Sequence, residues 1–251
     1  MNNNELEQRI AALEAENRSL KESLSQREAY IRRTFGRFLT DDVLDEILES
    51  KENLKIGGFR KTVTMMFTDL RDSTKLSEEL SPTDFINLLN NYLEKMIFII
   101  NCWQGNILSF VGDAIVVVFG APKDNPDSAR DAVACAVAMQ NRMGKVNEWA
   151  RSQGLPDLAM GIGIHTGEAV LGNIGSKLRT KYDMIGRNVN LASRIEGYCK
   201  GGQILISSET LEAAGDQVIL NPAGELLVRP KGIREDIPLH DVIGFGTNLL
   251  R

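Results

Sequence analysis

The chain has 251 residues, enough for one large domain with an extension. Its hydrophobic share of 43% and charged share of 25% are those of a globular protein, not of a disordered or membrane-embedded one. The net charge of −5 supplies no basic face for coating nucleic acid, so no nucleic-acid partner is expected.

Residues 5–33 carry a heptad repeat. Leu6, Leu13 and Leu20 fall at d positions; Ile10, Asn17, Leu24 and Ile31 fall at a positions, and Arg27 interrupts the d series. This pattern predicts a parallel dimeric coiled coil over 1–34. Asn17 is the informative residue: in a dimer it pairs with its twin, and in a trimer or a slipped register it is unsatisfied. Four heptads are few, so the coil is expected to draw stability from the domain that follows. A solvated single helix is the alternative.

Residues 35–58 read as a junction. Thr40 ahead of Asp41 and Asp42 predicts an N-cap with acidic first-turn residues. Val43, Leu44, Ile47 and Leu48 then form one apolar face, and Gly57–Gly58 ends the segment. From 59 to 251 the pattern changes to a mixed domain. It predicts a strand at 61–69, helices at 73–80 and 82–101, strands at 104–111 and 114–120, a helix at 127–151 and a strand at 157–166. A loop-rich strand region at 168–185, a helix at 188–199 and short strands and helices complete the chain. Ala129, Ala132, Val133, Ala136, Val137, Met143 and Val146 recur at helical spacing. Strands joined across helices, with a hairpin at Gly112–Asp113, predict an α+β fold with a ferredoxin-like βαββαβ core.

Cys102, Cys135 and Cys199 have no metal-type spacing and cannot all pair, so they read as reduced residues of a cytoplasmic protein. The polar, acidic N-terminus is no signal peptide. The apolar run at 96–100 is far too short for a membrane segment.

Two aspartates carry the chemistry. Asp69 lies in MMFTDLRDST and Asp113 in LSFVGDAIVVVFGAP, each at the boundary of an apolar, β-branched run. Both are therefore placed at the ends of buried strands. A buried carboxylate is costly, and two side by side repel and raise one pKa. A divalent cation resolves both problems, because Mg²⁺ is held by hard oxygens together with substrate phosphates. Two carboxylates can also bridge two metals for an in-line displacement at phosphorus. The plain alternatives are a cap for the helix that starts near Ser73 and Thr74, and a turn residue after Gly112. A cationic stretch over 177–200 (Lys177, Arg179, Lys181, Arg187, Arg194, Lys200) suits a triphosphate, though some of these are surface charges. The segment 70–74 opens a helix whose free N–H groups can cradle phosphate. His165, in GIGIHTGE, reads as a satisfied core or turn histidine.

FTDLRDST, FVGDAIVVVFGAP and YDMIGRNVNLASRIE occur together in this order. The combination resembles the class III nucleotide cyclases, the family of adenylate and guanylate cyclase catalytic domains, over roughly 59–245. The resemblance implies a homodimer converting a nucleoside triphosphate into a 3′,5′-cyclic nucleotide and pyrophosphate. It implies two divalent cations, Mg²⁺ or Mn²⁺, held by Asp69, Asp113 and the Leu70 backbone, with Ser73 and Thr74 near the phosphates. Asn190 and Arg194, four apart on a predicted helix, would orient the ribose and stabilise the pentavalent phosphorus. Arg179 and Lys231 match positions that hold triphosphate oxygens. In the family one site takes its metal aspartates from one chain and the remaining groups from the other. The junction resembles the element that joins upstream modules to such domains, and no sensor domain is recognisable in this chain.

Two positions in the family read the base. One lies four residues before the second metal aspartate, usually Lys in adenylate and Glu in guanylate cyclases; here it is Ser109. The other lies seven residues before the asparagine, often Asp or Thr in adenylate cyclases; here it is Asp183. A carboxylate only accepts, so Asp183 suits N6 of adenine or N4 of cytosine, and Ser109 can donate to adenine N1 or cytosine N3. A keto group facing Asp183 is disfavoured by about 1–3 kcal/mol per unsatisfied group, although a water at the short serine could invert its role. ATP is the preferred reading. CTP or another pyrimidine, and GTP, stay open, and so does a silent nucleotide-binding dimerisation module. A diguanylate cyclase also sets a Gly–Asp turn between strands, but the YDMIGRNVNLASR motif argues against it.

Overall fold

The structure is a computed structural model that describes residues 3–36, 40–49, 56–231 and 235–250. It divides into two compact units, Met1–Ser50 and Lys51–Arg251. Parts of the predicted junction, 37–39 and 50–55, lie outside the described residues, as do the side chains of Leu6 and Ile47.

The first unit holds helix α1 (Asn3–Phe35) and helix α2 (Asp41–Glu49). α1 runs unbroken through the heptads and exposes Ile10, Leu13, Leu20 and Leu24. Arg32 ties the two helices, donating to Asp45 at 2.6 Å and to Glu28 at 3.1–3.2 Å. The Thr40 carbonyl accepts the first helical bond from the Leu44 amide at 3.0 Å. Its buried hydroxyl has no partner among the described residues, so the side-chain cap expected there does not form.

The second unit follows in the order β1 (Gly57–Leu70), α3 (Ser73–Glu79), α4 (Pro82–Cys102), β2 (Asn106–Val111), β3 (Ala114–Phe119), α5 (Ser128–Ser152), β4 (Met160–Ser176), β5 (Arg179–Ile185) and α6 (Arg187–Glu196). β6 (Ile204–Ser207), α7 (Ser208–Ala214), β7 (Val218–Leu220), β8 (Leu226–Val228), β9 (Ile237–Phe245) and β10 (Asn248–Leu249) complete it. The main sheet runs β10-β9-β6-β4-β1-β3-β2. Its β4-β1-β3-β2 part is antiparallel throughout, and β-α-β-β-α-β is the order along the chain. β6 adds parallel to β4.

α4 and α5 cover one face of this sheet. Tyr92, Met96 and Ile100 of α4, with Ala132, Val133, Ala136 and Met139 of α5, pack on Met66, Ile115, Val117, Phe119, Ile162 and Ile164. A smaller apolar cluster joins Ile195 of α6 to Leu205, Val228 and Leu239.

β1 and β4 depart from the sequence reading. β1 starts at Gly57, inside the pair of glycines that reads as a terminator, and β4 runs straight through the predicted loop-rich region. β1 pairs with β4 along its whole length, from Gly57 opposite Asn173 to Leu70 opposite Met160. Gly172 (φ 151°) explains why the glycines are there: a Cβ on it would collide with the Gly57 carbonyl and lie 2.7 Å from the Gly58 Cα. These glycines permit close backbone approach instead of ending a strand.

Candidate active site

Side chains alternate along β1. Met66 and Leu70 enter the main core, and Thr68 Oγ1 lies 3.5 Å from Tyr92 Oη of α4. Asp69 therefore leaves the strand on the opposite face, the one that α6 covers.

Asp113 arrives from another direction. Gly112 (φ 65°) turns the chain between β2 and β3, and β3 pairs with β1 up to Ile115 opposite Thr68. The turn is thus delivered beside the end of β1. There Asp113 Oδ2 accepts from the Leu70 amide at 2.9 Å, and Oδ1 accepts from Ser73 Oγ at 3.0 Å. The N-cap of α3 is Asp72 (φ 59°), which makes no side-chain capping bond; neither Asp69 nor Asp113 fills that role. Both carboxylates are half-buried. Burial raises the pKa of Asp69, the adjacent Asp113 charge raises it further, and Arg71 pulls it back.

The pair fits a divalent cation. No group of three or more acidic, histidine or cysteine side chains forms an ion cage among the described residues. Two adjacent carboxylates whose mutual repulsion is only partly relieved suit an ion that takes its other ligands from phosphates and water.

The sequence reading missed Arg71 and Glu196. Arg71 Nη2 donates to Asp69 Oδ2 at 2.9 Å and also to Glu196 Oε1, while Nη1 donates to the Cys199 carbonyl at 3.2 Å. Glu196, near the end of α6, is thus paired with Arg71 and not with Arg194, the partner that proximity in sequence suggests. Burial pushes the Glu196 carboxyl up to about 7, against the pull of Arg71. The usable signal was GIG in GIGIHTGE. Gly161 stands opposite Asp69 in the β1–β4 register. A Cβ on Gly161 would come within 3.3 Å of both the Arg71 guanidinium carbon and Glu196 Oε1. A Cβ on Gly163 would strike the Glu196 backbone nitrogen and lie 2.6 Å from its Cα. Gly163→Ala should therefore lift α6 and destabilise the domain by about 2–3 kcal/mol, the cost of overpacking a rigid contact. Urea unfolding measures this; an unchanged midpoint would mean that α6 has room to spare.

Asn190 and Arg194 sit four apart on α6. Asn190 is exposed and Arg194 half-buried. Neither side chain has a hydrogen bond or ion pair among the described residues. At about 100° per residue, Arg194 lies about 200° around the helix from Glu196 and Asn190 about 240°. Both therefore emerge away from the side of α6 that meets Arg71 and Asp69.

The remaining predicted residues are spread over the sheet. Ser109 is half-buried on β2, opposite Val116 and just past an irregularity after Ile107. Asp183 is half-buried on β5 opposite Gly172, so no side chain faces it across the pair. Its Oδ2 accepts from Lys181 Nζ at 2.8 Å and its Oδ1 from the Met184 amide at 2.9 Å. β2 and β5 are not neighbours, and no hydrogen bond joins Ser109 to Asp183 among the described residues. Arg179 is exposed at the β4–β5 turn, Thr74 is exposed on α3, and Lys231 is exposed between β8 and β9. Within one chain, then, the two aspartates and Ser73 come together, and among the described residues no hydrogen bond or ion pair links Asn190, Arg194, Ser109, Asp183, Arg179 or Lys231 to either aspartate. His165 is a core histidine, with Nδ1 2.8 Å from Ser207 Oγ.

The family model for the adenylate and guanylate cyclase catalytic domain matches residues 59–241. The chain belongs to this family. The chain is 32% identical over 213 residues to adenylate cyclase 1 of Rhizobium meliloti, covering 84% of this chain and 32% of that protein. It is 34% identical over 209 residues to an adenylate cyclase of Anabaena cylindrica, covering 80% of this chain and 39% of that protein. The chain thus spans roughly a third of the length of these relatives. Among solved structures, the guanylyl cyclase Cya2 matches with a TM-score of 0.75 at 48% identity, covering 78% of this chain and all of that one. The adenylyl cyclase CyaB from P. aeruginosa matches with a TM-score of 0.72 at 36% identity, covering 77% of this chain and all of that one. No helix among the described residues is long and apolar enough to cross a membrane.

Proposed function

We propose that the chain is a homodimeric, cation-dependent nucleotide cyclase acting on ATP. The observation that carries this reading is the Asp69–Asp113 pair, two carboxylates set side by side at strand ends in a domain of the cyclase family.

In the reaction the ribose 3′-hydroxyl gives its proton to water and attacks the α-phosphorus. The O3′–P bond forms as the bond to the pyrophosphate oxygen breaks. Bound cations would lower the pKa of that hydroxyl and neutralise phosphate charge. Asp69 and Asp113 would hold them, and Leu70 and Ser73 keep Asp113 in place. Arg194 donates to the phosphoryl oxygens as charge gathers there, and Asn190 orients the ribose. Arg179 and Lys231 bind the triphosphate.

The helix geometry supports a dimer. Asn190 and Arg194 leave α6 away from the aspartates of their own chain, so a complete site takes them from a second copy. A two-fold dimer then carries two such sites. The exposed a/d stripe of α1, with Asn17 in register, would pair the copies as a parallel coiled coil. We place the protein in the cytoplasm, in keeping with three cysteines that form no disulfide.

The base assignment rests on Asp183. Both of its oxygens already accept one bond from their own chain. Each keeps a lone pair for an exocyclic amine such as N6 of adenine. A second reading, GTP, is favoured by the 48% identity to a guanylyl cyclase, against 36% for an adenylyl cyclase. Incubating the protein with each of the four NTPs and Mn²⁺, then weighing the products, decides between them. Cyclic AMP as the main product supports the proposal; cyclic GMP or a cyclic pyrimidine nucleotide as the main product overturns the base assignment.

Ser109→Lys extends the test. A lysine ammonium is a fixed donor suited to adenine N1. In an ATP enzyme the change should mainly lower the apparent KM for ATP. In an enzyme for another base it should raise the ATP preference at least about tenfold. Unaltered kinetics with all four NTPs would show that position 109 does not face the base.

A further inference from the structure

We infer that Arg71 is a positioning residue that ties Asp69 to Glu196 on α6, so that one protomer's part in each of the two sites is held by a single ionic link. The inference rests on the shared-site reading for its second half only.

Arg71 makes four bonds from two nitrogens. Nη2 reaches Glu196 Oε1, Asp69 Oδ2 at 2.9 Å and the Asp69 carbonyl at 3.4 Å, and Nη1 reaches the Cys199 carbonyl at 3.2 Å. It thereby gathers the end of β1, the end of α6 and the segment after α6. All three side chains are sheltered: 23% exposed for Arg71, 13% for Glu196 and 38% for Asp69. The Arg71 Nε is buried with no partner among the described residues, so there the guanidinium is held by its two ends alone. Gly161 leaves the space through which the link passes.

The link has two consequences. It sets the Asp69 carboxylate against the repulsion of Asp113, which bears on the site to which this chain gives its aspartates. It also sets the end of α6, two residues past Arg194, which bears on the site to which the same chain gives Asn190 and Arg194. A lysine at 71 keeps the charge but lacks the fork needed to reach all of these acceptors.

Mn²⁺ binding tests the first consequence without turnover. Binding is measured by electron paramagnetic resonance in the presence of the 3′-deoxy analogue of the preferred NTP, which cannot cyclise. Glu196→Gln keeps the shape of the side chain and removes the charge that holds Arg71. It should weaken Mn²⁺ binding by about tenfold, and Arg71→Lys by a similar factor. If Glu196→Gln does not fold, Arg71→Lys decides alone. Unchanged Mn²⁺ affinity in the folded variants overturns the inference.

A heterodimer tests the second consequence. One chain carries Asp69→Ala and the other Arg194→Ala, which leaves one complete site. Glu196→Gln placed in the Arg194→Ala chain, which supplies Asp69, should raise the Mn²⁺ concentration for half-maximal activity. Placed in the Asp69→Ala chain, which supplies Arg194, it should lower kcat by about tenfold and leave that Mn²⁺ concentration unchanged. An effect in only one placement would overturn the double role. A parent heterodimer with no activity would instead refute the shared site, and the Mn²⁺ binding result would still judge the link between Arg71 and Asp69.

Discussion

Asp69→Ala and Asp113→Ala should each lower cyclisation at least about a thousandfold, because each removes a ligand from a charge cluster that carries several kcal/mol of the barrier reduction. The fold should survive both changes. Asp113→Ala strips the Leu70 amide of its acceptor, which costs about 1–3 kcal/mol. The same change ends the repulsion between the two carboxylates, which offsets part of that loss. Asp113→Asn separates the two roles: its amide oxygen can still accept from the Leu70 amide or from Ser73, but the charge is gone. Activity assays across Mg²⁺ and Mn²⁺, with circular dichroism as the fold control, read the result. Near-normal turnover by any of these variants with any divalent cation would remove the aspartates from the metal site.

The parts of this site that were legible in the sequence are those with a local signature. Asp69 and Asp113 interrupt apolar, β-branched runs, so a strand end was the only economical place for them. The hairpin at Gly112–Asp113 followed from the same pattern, and it is the turn that delivers Asp113 to Leu70 and Ser73. For Asn190 and Arg194 the spacing of four predicts only a shared helix face, which α6 provides; their roles come from the resemblance of the motif around them.

What stayed hidden depends on contacts between distant segments. Arg71 and Glu196 are 125 residues apart, and nothing near either one announces the pair. Glu196 sits two residues from Arg194, which suggests a local ion pair that helix geometry does not favour. The glycines misled for a related reason. Gly57–Gly58 reads as the end of a segment, yet with Gly172 opposite it lets the start of β1 lie against β4. Gly161 and Gly163 make room for Arg71 and α6; the GIG run signals a close approach, but only the packed sheet shows what approaches. The heptads of α1 are legible as a helix, and α1 is one, but a pairing partner is not a property of a single chain.

Subunit complementation bears most directly on the claim that each active site is built from two chains. Asp69→Ala and Arg194→Ala homodimers should both be inactive. Mixed and allowed to exchange, they should form heterodimers with one intact site and one doubly broken site. Random assortment makes half of the dimers mixed, with one good site in two, so activity should return to about a quarter of the wild-type value. Differently tagged chains, purified on both tags in series, show that exchange has taken place and allow the heterodimer to be assayed alone. Recovered turnover in that doubly tagged fraction is the predicted result; verified heterodimers with no more activity than either parent would contradict the account.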